Sequence, residues 1–250
     1  MSSKSQKYAL AKPAQSILCL LVIVLGLSIV VLGSRLFMAN LHQYRASSFL
    51  SDWEEKREVP SDQAWQVAQQ AIEQAIAWYP GANAAYYEQL GYMWQWRGYS
   101  PNTPLANREE SQQHAIAAFR QALSIRPTWP YAWTGLAYGK MTAGEYDQEF
   151  RHAMLQAVHY GPTRIGINRR VAEIGLISWP YLDHTLQALT LEQAGYTARY
   201  GRSNRTQLFN IAAEVGRVEL LCDSLQDGFK PCAPLPEADS AQPSPSTSVQ

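Results

Sequence analysis

The chain has 250 residues, and its 21 basic and 21 acidic side chains give a formal net charge of zero. A neutral chain without a basic run lacks the electrostatic footprint of a nucleic-acid-binding protein, so no nucleic-acid partner is predicted. Between residues 61 and 200, alternating β-branched runs are missing while Ala, Gln, Leu and Glu are abundant. The predicted fold class is therefore all-α.

Residues 13–34 contain no charged side chain and lie between Lys12 and Arg35. In a helix these residues extend about 33 Å, enough to cross a hydrocarbon core of about 30 Å. A cleaved signal peptide would have a shorter apolar core and a small-x-small cleavage site, whereas Phe37-Met38-Ala39 begins with a bulky residue. We therefore predict a retained transmembrane helix at 13–34.

The charges on either side of this segment predict its orientation. Lys4, Lys7 and Lys12 precede the span without an acidic residue, whereas acidic residues soon balance Arg35 and Arg45. The positive-inside rule then places residues 1–12 in the cytoplasm and the rest of the chain outside it. Residues 35–60 are predicted to form a juxtamembrane linker or helix broken by Pro60, with Ser61 capping the next helix.

Three segments between residues 68 and 162 share one signature of small and apolar residues ended by a proline. The copies are Ala68-x3-Ile72-x2-Ala75-Ile76-x3-Pro80, Ala115-x3-Phe119-x2-Ala122-Leu123-x3-Pro127 and Phe150-x3-Met154-x2-Ala157-Val158-x3-Pro162. The spacing forms one apolar stripe on a helix, and proline, which lacks an N–H, ends that helix. A second kind of helix lies between successive copies, with an aromatic residue, Leu, and Gly or Ala. It is Tyr87-x2-Leu90-Gly91 after Pro80 and Trp133-x2-Leu136-Ala137 after Pro127.

This pairing resembles the tetratricopeptide repeat, whose period is about 34 residues. The alternative is an ordinary helical bundle in which the alanines and prolines coincide by chance. The resemblance implies an α-α solenoid of about three to four helix pairs within residues 61–226. An insertion at 98–112 lengthens the first repeat, and Asn107 with Glu110 is interpreted as the capping pair of the following helix. Helices are also predicted at 163–178, 180–199 and 205–225, the last covering the end of the stack. Residues 227–250, rich in Pro and Ser, are predicted to be a disordered tail.

The sequence contains no motif typical of a catalytic or metal-binding site. The five histidines form no His-Glu-x-x-His motif, and no phosphate loop, nucleophile elbow or dinucleotide fingerprint is present. We therefore predict no enzyme activity, no cofactor and no metal. Cys222 and Cys232 lie ten residues apart, which is compatible with a disulfide in an oxidising compartment, with two free thiols as the alternative.

The chain is rich in aromatic residues, with eight tryptophans and fourteen tyrosines. In a tetratricopeptide-like array the first helix of each pair lines a concave face, where Tyr, Trp and Arg side chains suit an extended peptide or a sugar chain. The alternative is that these rings fill gaps between repeats. The residues predicted to face this groove are Glu88, Tyr92, Gln95, Trp96, Tyr131, Thr134, Tyr138 and Arg169.

One apolar span at 13–34, Trp/Tyr-rich helix pairs at 64–162 and the Trp179-Pro180-Tyr181 junction together resemble the VpsP-type polysaccharide biosynthesis proteins of proteobacteria. The resemblance implies a single-pass protein of the bacterial inner membrane with its repeat domain in the periplasm. It implies a non-enzymatic scaffold for exopolysaccharide (biofilm matrix) synthesis or export, with other membrane or periplasmic proteins as partners. Two alternatives stay open: a carbohydrate-binding module that guides a nascent glycan, and a periplasmic chaperone or scaffold for envelope or secretion proteins.

Overall fold

The computed structural model describes residues 12–56, 58–99, 104–225 and 232. Within these residues the chain forms helices and no strand, so the all-α prediction is confirmed. The predicted tail at 227–250, apart from Cys232, and residues 1–11, with Lys4 and Lys7, lie outside the described residues. The helices are α1 Lys12–Lys56, α2 Asp62–Trp78, α3 Ala84–Gly98, α4 Leu105–Ile125, α5 Pro130–Thr142, α6 Gln148–Tyr160, α7 Ile165–Ser178, a short 3-10 turn Trp179–Tyr181, α8 His184–Tyr200, α9 Arg202–Glu214 and α10 Val218–Leu225.

The chain divides into two compact units, Met1–Ala143 and Gly144–Gln250, each with its own helices. The first unit contains α1 to α5 and the second contains α6 to α10. Each unit has a separate cluster of buried apolar side chains, centred on α1–α3 in the first and on α7–α10 in the second.

Helix α1 is one continuous helix from Lys12 to Lys56. Residues 35–56, which were predicted to form a linker or a helix, are therefore helical and continue the predicted span. Its apolar part is exposed, with Ile17, Leu25 and Val30 each about 60% accessible or more. Among the described residues this is the helix that is long and apolar enough to cross a membrane, with a mean hydropathy of 3.0 in its most apolar window. A signal sequence near an amino terminus meets the same criteria of length and composition.

Consecutive helices of the first unit run antiparallel. At one end of the α2–α3 pair, the indole Nε1 of Trp65 donates a 2.7 Å hydrogen bond to the carbonyl of Met93. At the other end, the rings of Tyr79 and Tyr86 pack edge to face with centroids 5.4 Å apart. The predicted cap is confirmed at the start of α2, where Ser61 Oγ accepts a hydrogen bond from the Ala64 amide. A side chain thus satisfies one of the free N–H groups that begin this helix.

Two glycines allow α4 to pack between α3 and α5. Phe119 of α4 is fully buried, and its ring lies against Gly91 of α3 and Gly135 of α5. A Cβ atom added at Gly91 would lie 2.7 Å from the ring, and one added at Gly135 would overlap it. The aromatic ring and the two glycines are therefore one packing unit that holds three helices together.

Helices α3 and α5 lie side by side and parallel. The amide of Gln95 donates a 3.0 Å hydrogen bond to the carbonyl of Gly135, and the hydroxyl of Tyr92 donates a 3.4 Å bond to the carbonyl of Tyr131. Both contacts join residues about 40 positions apart, at equivalent places on the two helices. The first helices of two successive predicted repeats are thus neighbours in the first unit.

The second unit uses the same packing of a glycine against a neighbouring helix. A Cβ atom added at Gly175 of α7 would overlap the Thr190 side chain of α8, so these antiparallel helices are in close contact. Arg169 of α7 donates a 2.8 Å hydrogen bond to Gln207 of α9, and the apolar side chains of Leu221 and Leu225 in α10 are buried against this core.

Three predicted helix boundaries are wrong. The predicted helix at 205–225 is divided into α9 and α10 at Gly216, whose φ of 65° ends a helix at little steric cost. Pro180 lies in a 3-10 turn, and α8 begins later because Asp183 caps it through the Leu186 amide. Asn107 does not cap α4, since that helix begins at Leu105.

Substitution of Gly135 tests the packing of Phe119. We expect Gly135→Ala to lower the free energy of unfolding by about 1–3 kcal/mol, because the added methyl overpacks a buried contact. Gly98→Ala is the matched control, since a Cβ there meets Ser111 at an ordinary 3.9 Å. Alanine has the higher helix propensity, so the control should be neutral or stabilising. Thermal unfolding of the detergent-solubilised protein, followed by circular dichroism, measures both; equal effects would contradict the packing argument.

Candidate functional sites

Most of the predicted groove residues lie along the contact between α3 and α5. Glu88 is 9% exposed, and its carboxylate accepts a 2.5 Å hydrogen bond from the indole of Trp129. Burial raises the pKa of Glu88 above its ordinary value, while hydrogen bonds from Trp129 and Tyr92 and the charge of Arg126 oppose that shift. Glu88 therefore joins the start of α3 to the residue before α5.

Tyr92, Gln95 and Tyr131 are partly buried and make the cross-helix hydrogen bonds described above. Thr134 is 3% exposed and its hydroxyl donates a 2.8 Å bond to the carbonyl of Tyr131 in its own helix. Tyr138 is 6% exposed. The structure thus places Glu88, Thr134 and Tyr138 inside the helix packing, where they present little surface to a partner. For these three residues, the alternative that they fill gaps between helices fits the structure better.

Trp96 and Arg169 make other contacts. Trp96 packs against Trp53 of α1, with ring centroids 6.2 Å apart, and against Tyr99 at 5.8 Å. Arg169 belongs to the second unit and is bonded to Gln207 there. The eight predicted residues therefore do not form one described site. Two of the predicted residues, Gln95 and Tyr138, help to line a small cavity of about 50 Å³ together with Tyr99.

A larger cleft lies in the second unit, between the end of α6, the start of α7 and the last turns of α8. Its volume is about 360 Å³, in the lower part of the range of small-molecule sites. The lining residues are Val158, Pro162, Thr163, Ile165, Asn168, Glu192, Gln193, Tyr196 and Tyr200. The sequence analysis did not select this cleft.

Two buried amides belong to the wall of this cleft. Asn168 is 5% exposed and Gln193 is 1% exposed, and the side-chain oxygens of both have no hydrogen-bond partner within the described part of the chain. The two oxygens are themselves buried, so the amides contribute a neutral wall to the cleft. The two residues are 25 positions apart on different helices, which explains why no local motif indicated them.

The rim of the cleft is aromatic and carries one carboxylate. Tyr196 and Tyr200 are 49% and 66% exposed. The Tyr196 hydroxyl donates a 3.2 Å hydrogen bond to Glu192, one turn earlier in α8. The cleft therefore combines neutral, buried amide side chains in its wall with exposed tyrosine rings.

Cys222 of α10 and Cys232 are joined in a disulfide, with their Cα atoms 5.3 Å apart. Both side chains pack against the buried core of the second unit. The bond ties Cys232 to that core. Cys19, in the apolar part of α1, is a free and exposed thiol.

Among the residues that the structure describes, no group of His, Cys, Asp or Glu side chains has the arrangement of a metal site. Comparison with known proteins finds no family model, curated protein or solved structure that matches this chain. A functional proposal therefore depends on the sequence of this chain and on the geometry of the two units.

Substitution of Glu88 tests its burial. Because folding raises the pKa of Glu88, the folded protein is most stable at pH values below the unfolded-state pKa of this carboxyl, near 4.5. As the pH rises through the higher pKa of the folded state, the buried carboxyl loses its proton and the free energy of unfolding falls. We expect Glu88→Gln to remove this loss, because glutamine keeps an acceptor for Trp129 without a charge. Urea unfolding at several pH values between 4 and 8 would detect the difference. Glu73→Gln, at an exposed position of α2, should leave the pH profile unchanged.

Proposed function

We propose that this chain is a non-enzymatic, membrane-anchored docking protein that holds partner proteins next to a bilayer. One observation carries the proposal: a single helix, α1, has an exposed apolar half and a second half packed into the first unit. A contiguous apolar surface of this length is unfavourable in water and needs a cover, which a bilayer supplies.

The helix packing supports a tetratricopeptide-like repeat domain. The signature positions are buried in all three copies. They are Ala68, Ile72 and Ala75 in α2, Ala115, Phe119 and Ala122 in α4, and Phe150, Met154 and Ala157 in α6. In the first unit, the parallel contact of α3 with α5 at an offset of about 40 residues is the neighbour relation expected between successive repeats. Arrays of this kind usually present a surface to other proteins.

We place the protein in exopolysaccharide synthesis or export on the resemblance of its anchor, helix pairs and Trp179-Pro180-Tyr181 junction to the VpsP-type family. The proposed location is the bacterial inner membrane with both units in the periplasm. The disulfide between Cys222 and Cys232 supports an oxidising compartment. An anchor also raises the effective concentration of the repeat domain near membrane partners, which suits a scaffold.

Complementation of a deletion strain tests the docking proposal. A chain in which residues 13–34 are replaced by an unrelated single span should restore the polymer, because only anchoring is required. A chain released by a cleavable signal peptide should restore little, since the local concentration at the membrane is lost. A reporter fused after residue 200 checks that each version reaches the periplasm. Full activity of the released chain would contradict the proposal, and no polymer defect in the deletion strain would remove the assigned pathway.

The cleft of the second unit favours a second candidate function, binding of a glycan. Its tyrosine rings, Tyr196 and Tyr200, are exposed and provide faces for the C–H surfaces of a sugar ring, and the neutral amides of Asn168 and Gln193 belong to its wall. The buried wall of the cleft is neutral, whereas a buried cationic ligand would need a charged partner in that wall. The carboxylate of the cleft, Glu192, is exposed and so does not supply one. A hydroxyl-rich neutral ligand therefore fits this cleft better than an ammonium group.

Calorimetric titration with neutral oligosaccharides tests the glycan candidate. Because single stacking contacts contribute about 0.5–1.5 kcal/mol, we expect Tyr200→Ala to weaken binding roughly 2- to 12-fold. Tyr44→Ala removes an equally exposed tyrosine from the first unit and should have no effect. Binding of lysine-containing peptides in place of sugars, or binding that is indifferent to Tyr200, would contradict the glycan candidate.

A further inference from the structure

We propose that the turn between α2 and α3, residues 77–82, rests on the surface of the bilayer from which α1 emerges. We call these residues the α2–α3 turn; they comprise Ala77, Trp78, Tyr79, Pro80, Gly81 and Ala82. The inference rests on the membrane anchoring in the proposed function and adds to it a specific contact surface and a fixed orientation of the first unit.

Contacts of Arg35 with the end of α2 fix the depth of this turn relative to the bilayer. Arg35 is the first charged residue after the uncharged segment 13–34, and so marks the boundary between hydrocarbon and water. Its guanidinium donates a 3.1 Å hydrogen bond from Nε to the carbonyl of Trp78 and a 3.5 Å bond from Nη2 to the carbonyl of Ala77. These carbonyls end α2, where a cation is favoured by the helix dipole. The end of α2 therefore lies at the membrane boundary.

No flexible segment separates the span from the first unit. Helix α1 continues through Arg35, and beyond it Ala39 and Ala46 are fully buried. Small residues at these positions permit close approach of α2, and Leu50 and Trp53 extend the same buried face. Because α2 packs along this rigid extension, the orientation of the first unit follows from the orientation of α1.

Charge distinguishes the two ends of the α1–α2 pair. Residues 74–87, which include the turn, contain no charged side chain, and neither do residues 36–44 of α1. The opposite end of the pair is net acidic, with five acidic residues, Asp52, Glu54, Glu55, Glu58 and Asp62, against two basic ones, Lys56 and Arg57. Anionic lipid headgroups repel an acidic protein surface, whereas a neutral surface can lie against the membrane. The neutral end is the one held beside Arg35.

The exposed side chains at this end are those that favour the membrane–water interface. Trp78 is 41% exposed at the end of α2, and Phe37 of α1, two residues beyond Arg35, is 67% exposed. Tryptophan is enriched at headgroup level because its ring is apolar and its N–H is polar. Pro80, Gly81 and Ala82 are also exposed and carry no charge, so the turn can lie flat against lipid without burying a charged group.

The neighbouring turn carries a cation. Trp129, between α4 and α5, is bonded to Glu88 in the first part of α3, which places this second turn beside the first. The guanidinium of Arg126 stacks over the Trp129 ring at 4.0 Å, and Arg126 is exposed. An exposed arginine near the membrane boundary suits the phosphate of a lipid headgroup.

Spin labelling of the full chain in lipid nanodiscs tests the inference. In a Cys19→Ser background, where Cys222 and Cys232 are paired, single labels are introduced by Trp78→Cys, Ala82→Cys, Leu25→Cys and Gln63→Cys. Gln63 lies 15 residues before Trp78 in α2, about 22 Å away along the helix, and is the matched control. The measurement is the ratio of accessibility to lipid-soluble oxygen and to a water-soluble nickel chelate.

We expect the label at 25 to show high oxygen and low nickel accessibility, and the label at 63 to show the reverse. Labels at 78 and 82 should give intermediate values that correspond to headgroup depth. If they resemble the label at 63 while position 25 stays in lipid, the turn faces water and the inference is wrong although the anchor stands. If they are shielded from both reagents, a protein covers the turn and the inference is also wrong. Water accessibility at 25 would instead contradict the proposed anchoring.

Discussion

The packing of the Phe119 ring against two glycines is the contact on which the first unit depends. The ring is fully buried between Gly91 and Gly135, so α3, α4 and α5 approach one another more closely than any side chain at those glycines would permit. That close approach brings the carbonyl of Gly135 within reach of Gln95. The hydrogen bonds between parallel helices are therefore a consequence of steric fit, and the repeat spacing is maintained by the absence of two Cβ atoms.

Much of the fold followed from periodicity and from proline. The signature that ends at Pro127 predicted α4 because its apolar residues repeat every three or four positions and a proline stops the helix. The groove could not be predicted in the same way. A helical register gives the face on which Thr134 or Tyr138 lies, but whether that face meets solvent depends on the neighbouring helix. The cleft of the second unit was missed for a related reason, since Asn168 and Gln193 become neighbours only when α7 packs on α8.

The two units differ in the kind of surface that they offer. In the first unit the polar groups of the α3–α5 contact are paired with one another, as Glu88 is with Trp129 and Gln95 with Gly135, so they contribute to the helix packing. In the second unit, the buried amides of Asn168 and Gln193 lie in the wall of a cleft of about 360 Å³ whose lining also includes the exposed rings of Tyr196 and Tyr200.

The unbroken course of α1 has a mechanical consequence. An apolar segment of about 33 Å in a thicker or thinner bilayer adjusts chiefly by changing its tilt. With a hinge after the span, that change would be absorbed at the membrane surface. Because α1 continues to Lys56 and α2 is bonded to Arg35, any tilt of α1 also tilts the first unit. With α1 as the proposed membrane anchor, local membrane thickness would therefore set the direction in which the first unit faces.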